Sequence, residues 1–275
     1  MKKAFGIIVA ILTLNVAIII HEFGHFLAFQ EAHIPVETFA VGIPVPYLTL
    51  KWHFAAYPET TFECSPLFVG GYNQLSRSAT KLVYALPLEQ QVHISARGIE
   101  FGLFLGIGLL WVVCILMWNV PRRRLRNGMA AVLTAVCLGT VLFPFVTEAV
   151  IFPLIGLAQM SYTISKLGTD LDSPIGFVRQ ISQSVSTGIT DFLRALVSLT
   201  IGYSIFNMIP LAPLDGGEII IAAIARYSQR AGFLYDRGSK LFLVAAVGVC
   251  ILVPLIRRLN QLNAEYRALT RSSTK

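Results

Sequence analysis

Ile18-Ile19-Ile20-His21-Glu22-Phe23-Gly24-His25-Phe26-Leu27-Ala28-Phe29 sets two histidines and a glutamate inside an apolar run. On a helix, the spacing His-Glu-x-x-His puts His21 and His25 one turn apart on the same face, where both imidazoles can reach one metal ion. Glu22 lies beside them, placed to take a proton from water held there. Two imidazoles and a carboxylate suit zinc, with a fourth position open. Ionisable groups are costly in an apolar helix, so their presence marks a working site.

The run around this motif begins after Lys2 and Lys3 and stays apolar from Phe5 through Phe29. No small-residue cleavage signal follows it, so residues 5–29 read as a retained membrane helix. The rest of the chain agrees. Of its 275 residues 55% are hydrophobic and 13% charged, against about 25% charged in soluble domains. The net charge of +7 does not point to nucleic acid. Its basic residues flank apolar runs, as at Arg122, Arg123, Arg124 and Arg126 and at Arg257 and Arg258, where they anchor a chain to membrane lipids. The four cysteines form no CxxC pair and three lie in long apolar runs, which excludes a zinc ribbon and indicates packing.

Further along, residues 31–93 are mixed, with strand-like content in Tyr47–Phe54 and Thr60–Pro66 between several prolines, and predict a short sheet or hairpin. Residues 94–118 read as a second span, and Gly98, Gly102 and Gly106 share one face of it, suited to close helix packing. Residues 128–162 are apolar but too long for one ordinary span, with an interruption from Phe143 to Glu148. A helical hairpin or one kinked helix fits. A third helix covers about residues 192–209 and runs into Pro210–Gly217, a last one covers 241–256, and a polar tail occupies 257–275. The expected architecture is therefore a polytopic α-helical membrane bundle, one domain over 1–256, with a small membrane-associated β-loop.

The third metal ligand has to come from elsewhere, and Asp215 is the best candidate. It follows Asn207-Met208-Ile209-Pro210-Leu211-Ala212-Pro213-Leu214 and precedes Gly216-Gly217. Prolines break the helix there and glycines allow close approach, and irregular backbone at membrane depth is tolerated where it lines a cavity. A plain helix end would not call for an aspartate.

His-Glu-x-x-His together with Asn207-x-x-Pro210 and Leu214-Asp215-Gly216 resembles the site-2 protease family of intramembrane zinc metalloproteases. That resemblance implies a three-helix core carrying residues 5–29, 94–118 and 192–217. It implies Zn2+ on His21, His25 and Asp215, Glu22 as catalytic base, and Asn207 holding the substrate backbone. Phe39-Ala40-Val41-Gly42 with Gly70-Gly71-Tyr72 resembles the β-loop of the regulator of sigma-E protease branch, which implies substrate contact near Gly42, Gly70 and Gly71. Asp172-Ser173-Pro174-Ile175-Gly176 resembles the lead into that branch's third core helix. Two departures stand out. Residues 119–170 are too few and too apolar for a PDZ domain, so no PDZ-mediated partner is expected, and the family's Ala-Gly-Pro reads Ala96-Arg97-Gly98 here.

The implied substrates are transmembrane helices of other proteins, which must unwind before attack. An edge strand within residues 36–73 could pair with the unwound segment, with Tyr47–Phe54 as the stretch to probe. The implied location is a bacterial inner membrane with the active site toward the cytoplasm. The positive-inside rule, applied to Lys2, Lys3 and the arginines at 122–126, gives the opposite orientation. Two other readings are a metal-cation transporter and an inactive helix-binding relative. The first lacks a second histidine or acidic cluster to form a path, and the second is disfavoured by the intact Glu22.

Overall fold

The computed structural model describes residues 2–65, 67–116, 123–166, 189–245 and 248. The Asp172–Gly176 motif, the end of the last helix and the polar tail lie outside these residues.

The chain opens with α1 (Lys2–Glu31), which ends just before His33, where φ is 57°. A four-stranded sheet follows: β1 (Val36–Ile43), β2 (Leu50–Phe54), β3 (Tyr57–Cys64) and β4 (Leu67–Leu75), in the order β2-β3-β1-β4. β1 pairs in parallel with β3 and antiparallel with β4, with Ala40 opposite Tyr72. The two stretches with strand-like composition thus fall on β2 and β3. β1 and β4 complete the sheet from sequence in which Gly42, Gly70 and Gly71 obscured the alternation.

Phe26 of α1 fastens the sheet to the helix. It is fully buried, and its ring centroid lies 5.7 Å from those of both Phe39 and Phe62. Edge-to-face aromatic packing of this kind adds to plain burial.

Residues 31–93 hold more than the sheet. They include α2 (Arg77–Ala85), capped by the Ser76 hydroxyl accepting from the Ala79 amide, and the first turns of α3 (Leu88–Leu116). The second core helix therefore starts before residue 94. A leading Glu89 and polar Gln90, Gln91 and His93 hide that start from hydropathy alone.

α3 passes between α1 and α6 (Ile189–Asn207), and its glycines set how closely. An added Cβ at Gly98 would collide with the His25 ring, at Gly102 with Ser204 Oγ and at Gly106 with Ile201 Cγ1. Small-residue spacing thus does the close packing expected of it, and at Gly98 the group admitted is a candidate metal ligand.

α4 (Arg123–Leu142) breaks at Phe143. A single turn Pro144–Val146 and a π turn Thr147–Ile151 lead into α5 (Phe152–Lys166). Phe152 is fully buried and packs with Met208, Ile219, Ile99 and Leu103, so this extra region is part of the core. After α6, the turn at Pro210–Pro213 leads to α7 (Asp215–Ala225). A further helix, α8, begins at residue 229 and is described through 245, earlier than the expected 241. Its polar first turns mask it in sequence.

Among the described residues, three stretches are long and apolar enough to cross a membrane: Leu88–Leu116, Pro144–Tyr162 and Ile189–Asn207.

Candidate metal centre

Four elements converge on the C-terminal half of α1. His21 Nε2 lies 3.1 Å from Asp215 Oδ2, His25 Nε2 lies 3.2 Å from Asp215 Oδ1, and the two Nε2 atoms are 3.3 Å apart. Asp215 reaches this point because α7 starts at it. Gly216 presses on the Met208 carbonyl and Gly217 on the Leu211 and Ala212 backbone, contacts that no side chain would allow. α8 holds the same turn from behind: Ser239 Oγ accepts from the Ala212 amide at 3.2 Å, and the Tyr235 hydroxyl donates to the Pro210 carbonyl.

The imidazoles are oriented by other elements. His25 Nδ1 is 2.8 Å from the Ile94 carbonyl on α3. A carbonyl only accepts, so Nδ1 carries a proton there and a neutral ring leaves Nε2 as a bare lone pair. The Tyr203 ring of α6 stands edge-on to His21, with centroids 5.1 Å apart.

Whether this set fits a metal can be judged from its own chemistry. The three ligand atoms lie within 4.8 Å of one another. Two imidazole nitrogens and a carboxylate face a common point, and Asp215 Oδ2 is buried there without a hydrogen-bond partner. A cation would satisfy these groups together, and two imidazoles with one carboxylate are a zinc donor set.

Glu22 faces a cavity of about 360 Å³ bordered by His25, Asp215 and β4. Asn73 of β4 holds it twice, its amide donating to the Glu22 backbone carbonyl at 2.9 Å and to Oε2 at 3.1 Å. Gly71 permits that approach, since a Cβ there would come within 2.7 Å of Glu22 Cγ.

The other expected site residues divide. Gly71 lines the cavity, whereas Gly42 and Asn207 do not. Gly42 and Gly70 both have φ of 84°, a left-handed backbone that by itself accounts for glycine. Asn207 is buried, and its amide donates to the Tyr203 carbonyl at 3.1 Å, which places it behind the tyrosine that abuts His21. Tyr47–Phe54 belongs to the β2 side of the sheet, the edge opposite β4. The edge beside the cavity is β4, through Gly71–Asn73 and Leu75. Asn73, Tyr203 and the Ile94 carbonyl were not singled out in the sequence. Asn73's position directly after Gly70-Gly71-Tyr72 was the only local signal.

A second cluster also exists, contrary to the sequence reading. His93 Nδ1 is 2.8 Å from Glu148 Oε1, Arg97 Nη1 donates to Glu100 Oε2 at 2.9 Å, and Glu31 lies 3.5 Å from Arg97 and 3.7 Å from His93. Glu148 and Glu100 are almost fully buried. The π turn carries Glu148 to this place, where it bonds His93. Hydropathy concealed the grouping because its members come from three separate helices.

Together these features define a class of protein, a membrane helix bundle with a metallopeptidase site. The sequence pattern of peptidase family M50 matches residues 9–255. The chain belongs to that family, the site-2 protease family of metalloproteases, and is an integral membrane protein. A protein named as a zinc metalloprotease from Clostridium acetobutylicum is 35% identical over 77 residues, 28% of this chain and 21% of that protein. Another so named from Borreliella burgdorferi is 38% identical over 69 residues, 25% of this chain and 15% of that protein. The match thus spans about a fifth or less of the length of these curated relatives.

Proposed function

We propose that this metalloprotease is a zinc-dependent endopeptidase that cuts transmembrane segments of other membrane proteins. The observation that carries this reading is the meeting of His21, His25 and Asp215 beside Glu22 at a cavity among apolar helices, bordered by a sheet edge. Bound zinc supplies a Lewis acid for the scissile carbonyl and lowers the pKa of water. The chain does the rest. His21, His25 and Asp215 hold the ion, and Ile94 fixes the ring of His25. Glu22, steadied by Asn73, accepts the proton from the attacking water. The β4 edge offers backbone partners to a locally unwound substrate. Asn207 supports the wall behind His21 and is a candidate for a hydrogen bond to the substrate backbone. The family resemblance favours a bacterial inner membrane with this cavity on the cytoplasmic side.

The second cluster gives the transporter reading a specific observation. Its geometry disfavours a path, however. His93, Arg97 and Glu100 do not line the cavity. On α3 they occupy a face about 100° from Ile94 and Gly98, given 3.6 residues per turn. The deciding experiment incubates purified protein with a transmembrane-helix reporter and zinc, and in parallel measures zinc uptake into sealed vesicles. Cleavage that vanishes in Glu22→Gln supports the peptidase, whereas uptake without cleavage sinks it.

A further inference from the structure

We infer that Glu218 forms an acidic subsite that selects a lysine or arginine in the substrate near the scissile bond. The proposal rests on the proteolytic reading above. Glu218 stands on α7 one turn after Asp215 and lines the catalytic cavity. It also lines an adjoining cavity of about 250 Å³, between α7 and α8, that shares Tyr84 and Ile221 with the first. The two cavities share Glu218 in their linings, which places it between them.

Charge makes that position notable. The chain as a whole carries +7, yet among the described residues no lysine or arginine lines the catalytic cavity. In the proposed metal centre a bound divalent ion would offset the charges of Asp215 and Glu22. In the adjoining cavity Lys240 is taken by Asp236 at 2.6 Å. Glu218 has no hydrogen bond or ion pair among the described residues, and it is only partly exposed. Lys240 attracts Glu218 across the adjoining cavity but is bound to Asp236, so a cation arriving with the substrate would give this half-buried carboxylate a direct partner. One helical turn separates it from Asp215, about 4.5–5.4 Å along the axis. That distance corresponds to about one or two residues of an extended peptide, so the selected side chain lies close to the cut.

The test uses the full-length zinc-loaded protein and a set of transmembrane-helix reporters in which a single Lys, Gln or Glu is walked across the scissile bond. Wild type should favour Lys over Glu at one position by on the order of 10-fold in kcat/KM, the equivalent of about 1.4 kcal/mol. Glu218→Gln should flatten that ratio, and Glu218→Lys should invert it. Ratios within one variant are independent of how much of it is folded, and the Gln variant stands alone if the Lys variant does not fold. The subsite is overturned if wild type shows no charge preference at any position. It is equally overturned if Glu218→Gln slows all reporters alike, which would instead assign the carboxylate to the leaving amine. Failure of the underlying reading looks different: no reporter would be cut in a Glu22-dependent way.

Discussion

Glu22, His21 and His25 announce themselves in sequence because their geometry is local: one helical turn fixes it. The groups that make them competent are not local. Asn73 lies 51 residues from Glu22 and Ile94 lies 69 from His25, and both contacts exist only once the sheet and α3 have packed. Glu22→Gln should therefore retain zinc while cleavage falls by about 100-fold or more, the scale of a lost general base. Metal analysis beside a reporter assay checks both halves, and wild-type turnover would remove Glu22 from the chemistry. Asp215→Ala should lower zinc occupancy, and full occupancy would require another third ligand. Gly98 provides a test that only the structure supplies. Its Cβ would land on the His25 ring, which the Ile94 carbonyl keeps from moving aside, so Gly98→Ala should cost about 1–3 kcal/mol as an overpacking change and reduce zinc content. Gly108, on the same helix, faces open space, so Gly108→Ala should leave both zinc content and Tm near wild type. Equal behaviour of the two variants would show that the fit at Gly98 does not matter.

At the level of elements, hydropathy located the apolar stretches of α3 and α6 and missed what is amphipathic or short. α2, the polar first turns of α3, the start of α8 and strands β1 and β4 all lack the long apolar signal that reveals a span. The sheet shows what that costs. Composition directed attention to Tyr47–Phe54, yet β2 has every residue exposed and is the edge opposite β4. The edge that borders the cavity is β4, and the proposed substrate pairing is assigned to it. Proline placed singly through Leu50–Phe54 should leave reporter cleavage near wild type. Proline at β4 positions whose amide points out of the sheet should lower it sharply, because each such change removes one ladder donor from the substrate's side. Zinc content and Tm identify variants that merely unfold. Loss of cleavage from β2 variants alone would reverse the assignment of the working edge.

The whole molecule must bring Asp215 to the same side of the membrane as His25, and the direction of each helix can be followed through its contacts. Ala17 packs with Leu199, and His21 with Tyr203, so α1 and α6 run the same way. Gly102 faces Ser204 and Gly106 faces Ile201, so α3 runs opposite to both. Trp111 bonds Thr134 while His93 bonds Glu148, so α4 returns along α3 and reaches the metal-site side at the π turn. α6 then begins on the far side, which requires the chain through α5, whose stretch Pro144–Tyr162 is long enough to cross, to make one more passage. Two crossings between α3 and α6 keep the candidate zinc ligands together, while one would separate them. Single cysteines at Lys3, Leu75, Leu125, Asp170 and Arg230, in a chain freed of Cys64, Cys114, Cys137 and Cys250, test this with a membrane-impermeant thiol reagent. Positions 3, 125 and 170 should label from one face, and 75 and 230 from the other. The orientation implied by the family puts 75 and 230 in the cytoplasm, against the pull of Lys2, Lys3 and the arginines at 122–126. If 75 and 230 label from outside, the positive charges have set the topology and the site faces the other compartment. If 125 and 170 label from opposite faces, α4 and α5 do not make a return crossing and Asp215 cannot complete a site with His21 and His25.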